Sequence, residues 1–131
     1  MIVIDTHVLV WWLDVSVRLD DRVRARLNAE NDVRLCAISW HEIALATSHG
    51  RMQLESSPKE WTAKAVRVAT LRVEPLTPAM CFESTRLPGE FHRDPADRLI
   101  VATARLLDAE LVTADGKMLA YPHVRTVRAD R

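Results

Sequence analysis

The sequence has few of the features that mark secreted, disulfide-rich or membrane-spanning proteins. It contains two cysteines, Cys36 and Cys81, of unremarkable spacing. Its first apolar stretch lacks a basic segment and is interrupted by the polar residues 5–7, unlike a secretory signal. The apolar stretch Val8 to Leu13 is far too short to span a bilayer. We therefore expect a cytoplasmic protein with two reduced, structural cysteines.

An excess of charge of either sign is also absent. Eighteen basic residues balance eighteen acidic residues, so no global field attracts nucleic acid, and such a partner needs a local patch. Fifteen of the eighteen basic residues are arginine, which binds phosphate with two hydrogen bonds. A genome with arginine-biased codons explains that preference equally well.

The length and the hydrophobic content of the chain are those of one globular domain. The chain has 131 residues, of which 48% are hydrophobic, and no linker rich in Gly, Ser or Pro divides it. We expect a single domain over residues 1–131, with a core that needs no disulfide or structural metal to fold.

Short apolar runs alternate along the chain with helical patterns. The predicted strands are residues 1–4, 33–39, 72–77, 110–115 and 124–127. The predicted helices are residues 8–13, 18–30, 39–50, 58–71, 78–86, 94–108 and 116–121. Strands that alternate with helices indicate right-handed βαβ units. The pattern therefore predicts an α/β fold with a parallel sheet covered by helices on both faces.

The helix predicted at 94–108 begins with two carboxylates three residues apart. Asp94 precedes Pro95 and has the features of an N-cap, which explains this acid and predicts that it lies apart from any site. Asp97 lies on the stripe of Ile100 and Val101, the apolar side of the helix. A carboxylate on a packed surface must be paired, neutralised or bound to metal.

No basic residue shares the stripe of Asp97. Arg98 and Arg105 are predicted on the solvent side of the same helix. A metal ion is therefore a reasonable partner for the Asp97 carboxylate.

Three further acids follow predicted strands. Asp5 follows the first strand, Glu42 lies one turn into the helix after the second, and Asp115 follows the fourth. In an open parallel sheet the carboxyl ends of the strands form the ligand-binding edge. We expect these three acids to gather there, with Asp97 joining them if its helix begins at the same edge.

Each acid also has a local structural explanation. Glu42 could complete a capping box with Ser39, Asp115 could be a turn residue before Gly116, and Asp5 could cap the helix after it. These explanations do not account for four acids at one sheet edge. Four clustered carboxylates repel one another and require a cation, and oxygen ligands favour Mg²⁺ or Mn²⁺ over zinc. Such a site suits phosphodiester hydrolysis.

Four segments in order resemble the signature segments of PIN-domain ribonucleases, specifically the VapC-type toxins of toxin-antitoxin pairs. They are "VIDTHVLVWWL", "SWHEIAL", "DPADRLIVATA" and "LVTAD". The resemblance covers essentially the whole chain. It implies a three-layer α/β/α sandwich, an endoribonuclease that depends on Mg²⁺ or Mn²⁺, a VapB-like antitoxin as partner, and a homodimer.

The resemblance also implies roles for individual residues. The catalytic and metal-binding acids correspond to Asp5, Glu42, Asp97 and Asp115. Thr113 corresponds to a hydroxyl that supports Asp115, and Thr6 to one that orients the loop after the first strand. One departure is His7, where many relatives have a small polar residue.

The histidines, and the arginine next to one of them, allow both a structural and a functional interpretation. His41 and His49 are too far apart for a paired zinc site and are read as ordinary helix residues. His92 and Arg93 border the expected cleft and could contact phosphate, although loop polarity explains them equally well.

The tryptophans could stack on RNA bases. Trp40 and Trp61 lie within amphipathic helices, which favours core or interface packing. Trp11 and Trp12 are adjacent and face different directions, so at least one is a candidate for a subunit contact.

Two other functions fit parts of the pattern. A phosphoacceptor receiver domain needs an acidic pair after the first strand and a lysine after the last, whereas the chain supplies one acid, Asp5, and a Lys117 in the wrong kind of turn. A non-catalytic PIN-like module that binds protein or RNA is the main alternative to a nuclease. The two differ in metal dependence, since a binding module would hold RNA equally well in EDTA.

Overall fold

The five strands of the sheet are all parallel. The computed structural model describes residues 1–131. The strands are β1 (Ile2–Ile4), β2 (Val33–Cys36), β3 (Leu71–Glu74), β4 (Glu110–Thr113) and β5 (Thr126–Arg128). Their order across the sheet is β3-β2-β1-β4-β5, with β1 in the centre.

Seven helices connect the strands. They are α1 (Thr6–Leu13), α2 (Asp21–Ala29), α3 (Ile38–Ser48), α4 (Pro58–Val66), α5 (Pro78–Thr85), α6 (Pro95–Leu106) and α7 (Gly116–Ala120). None of them combines the length and the apolar content that a membrane span requires.

The alternation of side chains along β1 separates the core into two layers. Ile2 and Ile4 pack with residues of α1, α2 and α4, whereas Val3 packs with residues of α5, α6 and α7. All three side chains are buried, as expected of a strand covered on both faces. The predicted three-layer α/β/α fold is confirmed.

The sheet order creates a crevice beside the central strand. The chain moves from β1 to β2 and β3 on one side, and then returns to place β4 and β5 on the other. The connections that leave β1 and β4 therefore diverge to opposite faces. Such a switch point at the carboxyl ends of parallel strands is where ligands bind in open α/β sheets.

The structure corrects several local expectations. The second strand ends at Cys36 because α3 begins at Ile38, two residues later. The helix that begins at Pro58 ends at Val66, because Leu71 begins β3. Gly50 has the positive φ of 70° expected where the chain turns after α3.

The two cysteines and the tryptophans are placed as follows. Both cysteines are free, but only Cys36 is buried, so the expectation of a structural role is wrong for the exposed Cys81.

Trp61 is buried in the core at 1% exposure, and its indole N–H donates to Asp14. The half-buried Trp11, Trp12 and Trp40 pack against the same core layer.

The helical pattern predicted that Arg98 lies on the solvent side of α6. This prediction is wrong. The Arg98 guanidinium donates to the carbonyl oxygens of Ser84, Phe91 and His92, at 2.7, 3.0 and 3.2 Å. These bonds connect α6 to the last turn of α5, which contains Ser84, and to the segment between the two helices, which contains Phe91 and His92.

A pair of substitutions in α6 tests how the core supports this helix. Ile100 is fully buried, whereas Leu106 on the same helix is 47% exposed. We expect Ile100→Ala to lower the free energy of unfolding by roughly 2–5 kcal/mol, because it leaves a cavity. Leu106→Ala should cost less than about 1 kcal/mol. Urea denaturation measures both, and equal losses would contradict this assignment of the core.

Candidate active site

A cleft of about 610 Å³ lies at the carboxyl ends of β1, β2 and β4. Each of these strands is followed by a helix whose first turns contribute side chains to the cleft. The acids that line it are Asp5, Glu42, Asp94, Asp97 and Asp115. The structure thus brings together the four acids that the sequence singled out, and it adds Asp94.

Asp5 is the most deeply placed of these acids. It follows β1 directly and caps α1, and it is 4% exposed. Its Oδ1 accepts a hydrogen bond from the backbone N–H of Thr6 at 2.8 Å, and its Oδ2 accepts one from the hydroxyl of Thr113 at 2.6 Å. Each oxygen retains a lone pair, so the carboxylate can still bind a cation.

His7 supports the same corner of the cleft. Its Nε2 accepts a hydrogen bond from the backbone N–H of Ala114 at 3.1 Å, which places the hydrogen of a neutral ring on Nδ1. That Nδ1 lies 3.6 Å from Asp5 Oδ2. The distance is too long for a hydrogen bond but short enough for electrostatic attraction.

Glu42 is held by a chain of hydroxyl groups. The Thr6 hydroxyl donates to Glu42 Oε1, and its oxygen lies 2.8 Å from the Ser39 Oγ. Because Thr6 has a single hydroxyl hydrogen, Ser39 is the donor to Thr6. Helix α3 is capped at Ala37 without a side-chain hydrogen bond, so Glu42 does not form the capping box that its spacing allowed.

Asp97 lies on the first turn of α6, and its side chain is 17% exposed. The Nε2 of His92 lies 2.9 Å from Asp97 Oδ2. The two groups do not have the angle of a hydrogen bond, and this buried nitrogen has no other partner. The prediction that Asp97 points to the packed side of its helix agrees with this burial.

Asp94 is both a cap and a member of the cluster. Its Oδ1 accepts a hydrogen bond from the backbone N–H of Asp97 at 3.0 Å, as expected of an N-cap. However, Glu42, Asp94 and Asp97 each offer an oxygen within 4.8 Å of the others. The expectation that Asp94 lies apart is therefore wrong. Residues three apart at a helix start share a face, so a capping carboxylate can also face the cleft.

Asp115 combines the same two properties. Its Oδ1 accepts hydrogen bonds from the backbone N–H groups of Lys117 and Met118 at 2.7 and 3.2 Å, which caps α7. Thr113 supports this turn by accepting from the backbone N–H of Asp115 at 3.0 Å. The Thr113 hydroxyl itself donates to Asp5, so the carboxylate that it orients is that of Asp5.

The cluster changes the protonation of two of its members. Burial raises the pKa of Asp97 to about 7, and the charges of Asp94, Asp5, Glu42 and Asp115 add to the effect. Burial also raises the pKa of Glu42, which the hydrogen bond from Thr6 opposes only in part.

Two residues that line the cleft, His41 and Arg51, were not assigned to the site by the sequence. His92, which the sequence placed at the border of the cleft, contacts Asp97. The position of His41 one residue before Glu42 was the only available signal, and it was read as ordinary helix polarity. Arg51 carried no signal, because it reaches the cleft from the segment after α3.

The chemistry of the donor set fits a divalent cation. The clustered donors are carboxylate oxygens, with no cysteine among them, and oxygen ligands select hard ions. Burial and, to a smaller extent, the neighbouring carboxylates raise the pKa of Asp97 by disfavouring its charged form. A cation bound at the cluster would favour that charged form.

Comparisons with known proteins agree with this fold. The model of the family described as PIN domain matches residues 2–124. Ribonuclease VapC22 from Mycobacterium tuberculosis is 32% identical over 126 residues, which are 96% of this chain and 95% of that protein.

Two solved structures are similar to this one in fold. A toxin-antitoxin complex from Klebsiella pneumoniae matches with a TM-score of 0.67 at 19% identity, covering 98% of this chain and 97% of that chain. VapBC2 from Rickettsia felis, bound to a DNA fragment from its promoter, matches with a TM-score of 0.73 at 18% identity, covering 99% of this chain and all of that chain.

The raised pKa of Asp97 predicts how stability depends on pH without metal. The folded protein binds a proton at Asp97 up to about pH 7, whereas the unfolded chain releases it near pH 3.8. Stability in EDTA should therefore fall as the pH rises between these values. Asp97→Asn removes this loss. We expect the variant to gain roughly 4 kcal/mol over the wild type from pH 4 to pH 8, because the folded and unfolded pKa values differ by about three units and each unit corresponds to about 1.4 kcal/mol.

Asp108→Asn is the matched control for this measurement. Asp108 has a side chain that is 97% exposed and a positive φ of 50°, which asparagine tolerates. Its pH profile in chemical denaturation should follow that of the wild type. Parallel profiles for the wild type and Asp97→Asn would count against a buried, protonated Asp97.

Proposed function

Because the chain belongs to the PIN domain family, we propose that it is a metal-dependent endoribonuclease and the toxin of a toxin-antitoxin pair. The observation that carries this proposal is the cluster of five carboxylates in one cleft, with hydroxyl groups of the protein beneath it. In this proposal residues 1–131 form a single nuclease domain, as the span of the family match supports.

The cation of this proposal is Mg²⁺ or Mn²⁺. Asp5, Glu42, Asp97 and Asp115 are its proposed ligands, and the position of Asp94 within 4.8 Å of Glu42 and Asp97 makes it a further candidate. A bound ion would supply a water of lowered pKa and positive charge for the phosphate. The carboxylates of the chain would hold the ion in the cleft where the phosphodiester binds.

Other residues of the cleft prepare the acids for this task. The Thr6 hydroxyl donates to one oxygen of Glu42, and the Thr113 hydroxyl donates to one oxygen of Asp5. These bonds orient the two carboxylates and leave their other lone pairs free for a cation. His41 and Arg51 are exposed and line the same cleft, so they can approach the phosphate groups of an RNA strand.

The proposed partners follow from the relatives. The curated relative is named a ribonuclease, which supports RNA as the substrate. The structural neighbours are toxin-antitoxin complexes, which supports a VapB-like antitoxin as the protein partner. A homodimer and a cytoplasmic location are part of the same proposal, since a toxin that cleaves the RNA of its own cell acts in the cytoplasm.

A non-catalytic PIN-like binding module is the alternative. It would need neither the carboxylate cluster nor the hydroxyl groups that orient it. Both are present here, which favours the nuclease.

The first test of the nuclease is the substitution Asp97→Asn. The amide keeps the shape of the side chain but removes the charge that holds the ion, so we expect RNA cleavage in Mg²⁺ to fall to background. The matched control is Asp20→Asn. Asp20 also caps a helix, through hydrogen bonds from the N–H groups of Arg22 and Val23, but it does not line the cleft. Asparagine caps about as well as aspartate, so this variant should cleave like the wild type.

Gel analysis of a labelled RNA measures both variants, with circular dichroism as the check of folding. Wild-type cleavage rates in Asp97→Asn would overturn the assignment of this acid. Expression of the wild type should also slow growth unless its antitoxin is present, and Asp97→Asn should relieve that effect.

The second test concerns the metal itself. Excess EDTA should abolish cleavage, and Mg²⁺ or Mn²⁺ should restore it. Because Asp97 holds a proton up to about pH 7 without metal, binding of the ion near pH 7 should also release protons. Titration calorimetry in buffers of different ionisation enthalpy measures this release. Cleavage that persists in EDTA, or identical apparent heats in all buffers, would count against a metal held by these acids.

A further inference from the structure

A second cleft lies directly beside the acidic one. It has a volume of about 530 Å³ and is formed by α1, the loop after it and the segment that follows α3. His7, Arg51 and Met52 line both clefts. The two clefts therefore adjoin at these residues, and together they are called the groove below. A chain bound at the carboxylates can extend into the second cleft.

Two arginine side chains that line the second cleft have no acidic partner. Arg18 contacts the Trp11 ring, and Arg51 approaches only His49 Nδ1, at 3.5 Å. Arg34 and Arg105, by contrast, form ion pairs. The guanidinium groups of Arg18 and Arg51 are therefore available to bind phosphate.

The second cleft also contains the acidic groups of Asp14 and Glu55, neither of which forms an ion pair with Arg18 or Arg51. Both oxygens of Asp14 are engaged, one by the indole N–H of Trp61 at 2.8 Å and the other by the backbone N–H of Glu55 at 3.4 Å. Glu55 itself is exposed, so solvent screens its side chain.

An aromatic side chain lies between Arg18 and the first cleft. The Trp11 ring lies 4.8 Å from the ring of His7, and the Arg18 Cζ lies 5.3 Å from its centroid. Trp11 follows Asp5 by six residues along α1, which is about 9 Å at 1.5 Å per residue.

The adjacent tryptophan points elsewhere. Trp12 does not line either cleft, and its indole N–H donates to Asn28 of α2 at 2.8 Å. Trp11 thus lines the groove, whereas Trp12 packs against α2. Substitution of Trp12 is therefore the control for substitution of Trp11.

From these contacts we propose that the second cleft binds an unpaired nucleotide next to the scissile phosphate, with its base against the Trp11 ring. Arg18 moves from the ring to a phosphate group when the base stacks, and Arg51 binds the phosphate between the two clefts. An indole face beside guanidinium groups is the chemistry that binds single-stranded nucleic acid, because every base has a π face. This inference rests on the proposed ribonuclease function, and it adds the side chains that hold the nucleotide beside the site of cleavage.

The test compares cleavage of a short single-stranded RNA by Trp11→Leu, Trp11→Phe and Trp12→Leu. We expect Trp11→Leu to raise KM roughly tenfold to hundredfold with little change in kcat, as loss of one stacked base predicts. Trp11→Phe should retain most of the affinity. Trp12→Leu should leave KM unchanged. The same RNA annealed to its complement should be a poor substrate for the wild type.

Arg18→Gln and Arg51→Gln keep the inference testable if Trp11→Leu does not fold. Both side chains are exposed, so these variants should fold normally, and each should raise KM and reduce its dependence on salt.

An unchanged KM in folded Trp11→Leu, or in both arginine variants, would overturn the inference and leave the nuclease standing. A Trp11→Leu protein that no longer binds the antitoxin but keeps its affinity for RNA would also overturn the inference. A wild-type protein that cleaves no RNA in Mg²⁺ would overturn the proposed function itself.

Discussion

Crowding of negative charge in one cleft is the constraint on which the rest of the structure depends. Two unit charges about 4 Å apart repel by roughly 4 kcal/mol even at an effective dielectric constant of 20. Glu42, Asp94 and Asp97 offer oxygens within 4.8 Å of one another. The protein offsets this repulsion with hydroxyl donors from Thr6 and Thr113, and by retaining protons when no cation is bound. The cluster is therefore stable enough to fold but remains ready to bind a cation.

Helix starts supply a second source of compensation. Asp5, Asp94 and Asp115 each cap a helix with one carboxylate oxygen, and all three line the cleft. The N-terminus of a helix carries partial positive charge, so several helix ends attract the same acids that repel one another. A capping role and a site role are thus compatible in one carboxylate. The parallel sheet makes this possible, since the helices that follow its strands begin at the same edge.

Much of the fold could be predicted from the sequence, because the signals for it are local. The apolar run of β1, the cap and proline before α6, and Gly50 after α3 each indicate an element or its end without reference to the rest of the chain. The meeting of Asp5 with Asp115 also followed, because both come after strands of one parallel sheet. The order of the strands had no local signal, since pairing depends on how the helices cross the sheet.

The parts of the site that were missed depend on contacts between distant segments. Asp94 was read as a cap alone because a sequence does not show which way the second oxygen of a cap faces. Arg98 was placed in solvent because helical periodicity does not include the carbonyl groups of a neighbouring loop. Arg51 enters the cleft from a segment with no regular structure, so no periodicity could place it.

The hydrogen bond between Thr113 and Asp5 spans 108 residues of chain. The central strand β1 emerges from the ribosome before β4, which pairs with it on one side and carries Thr113. Contacts between such distant segments form late, because the intervening chain must first be made and folded. A nascent chain therefore lacks a complete carboxylate cluster until the segment that contains β4 and Asp115 has been made.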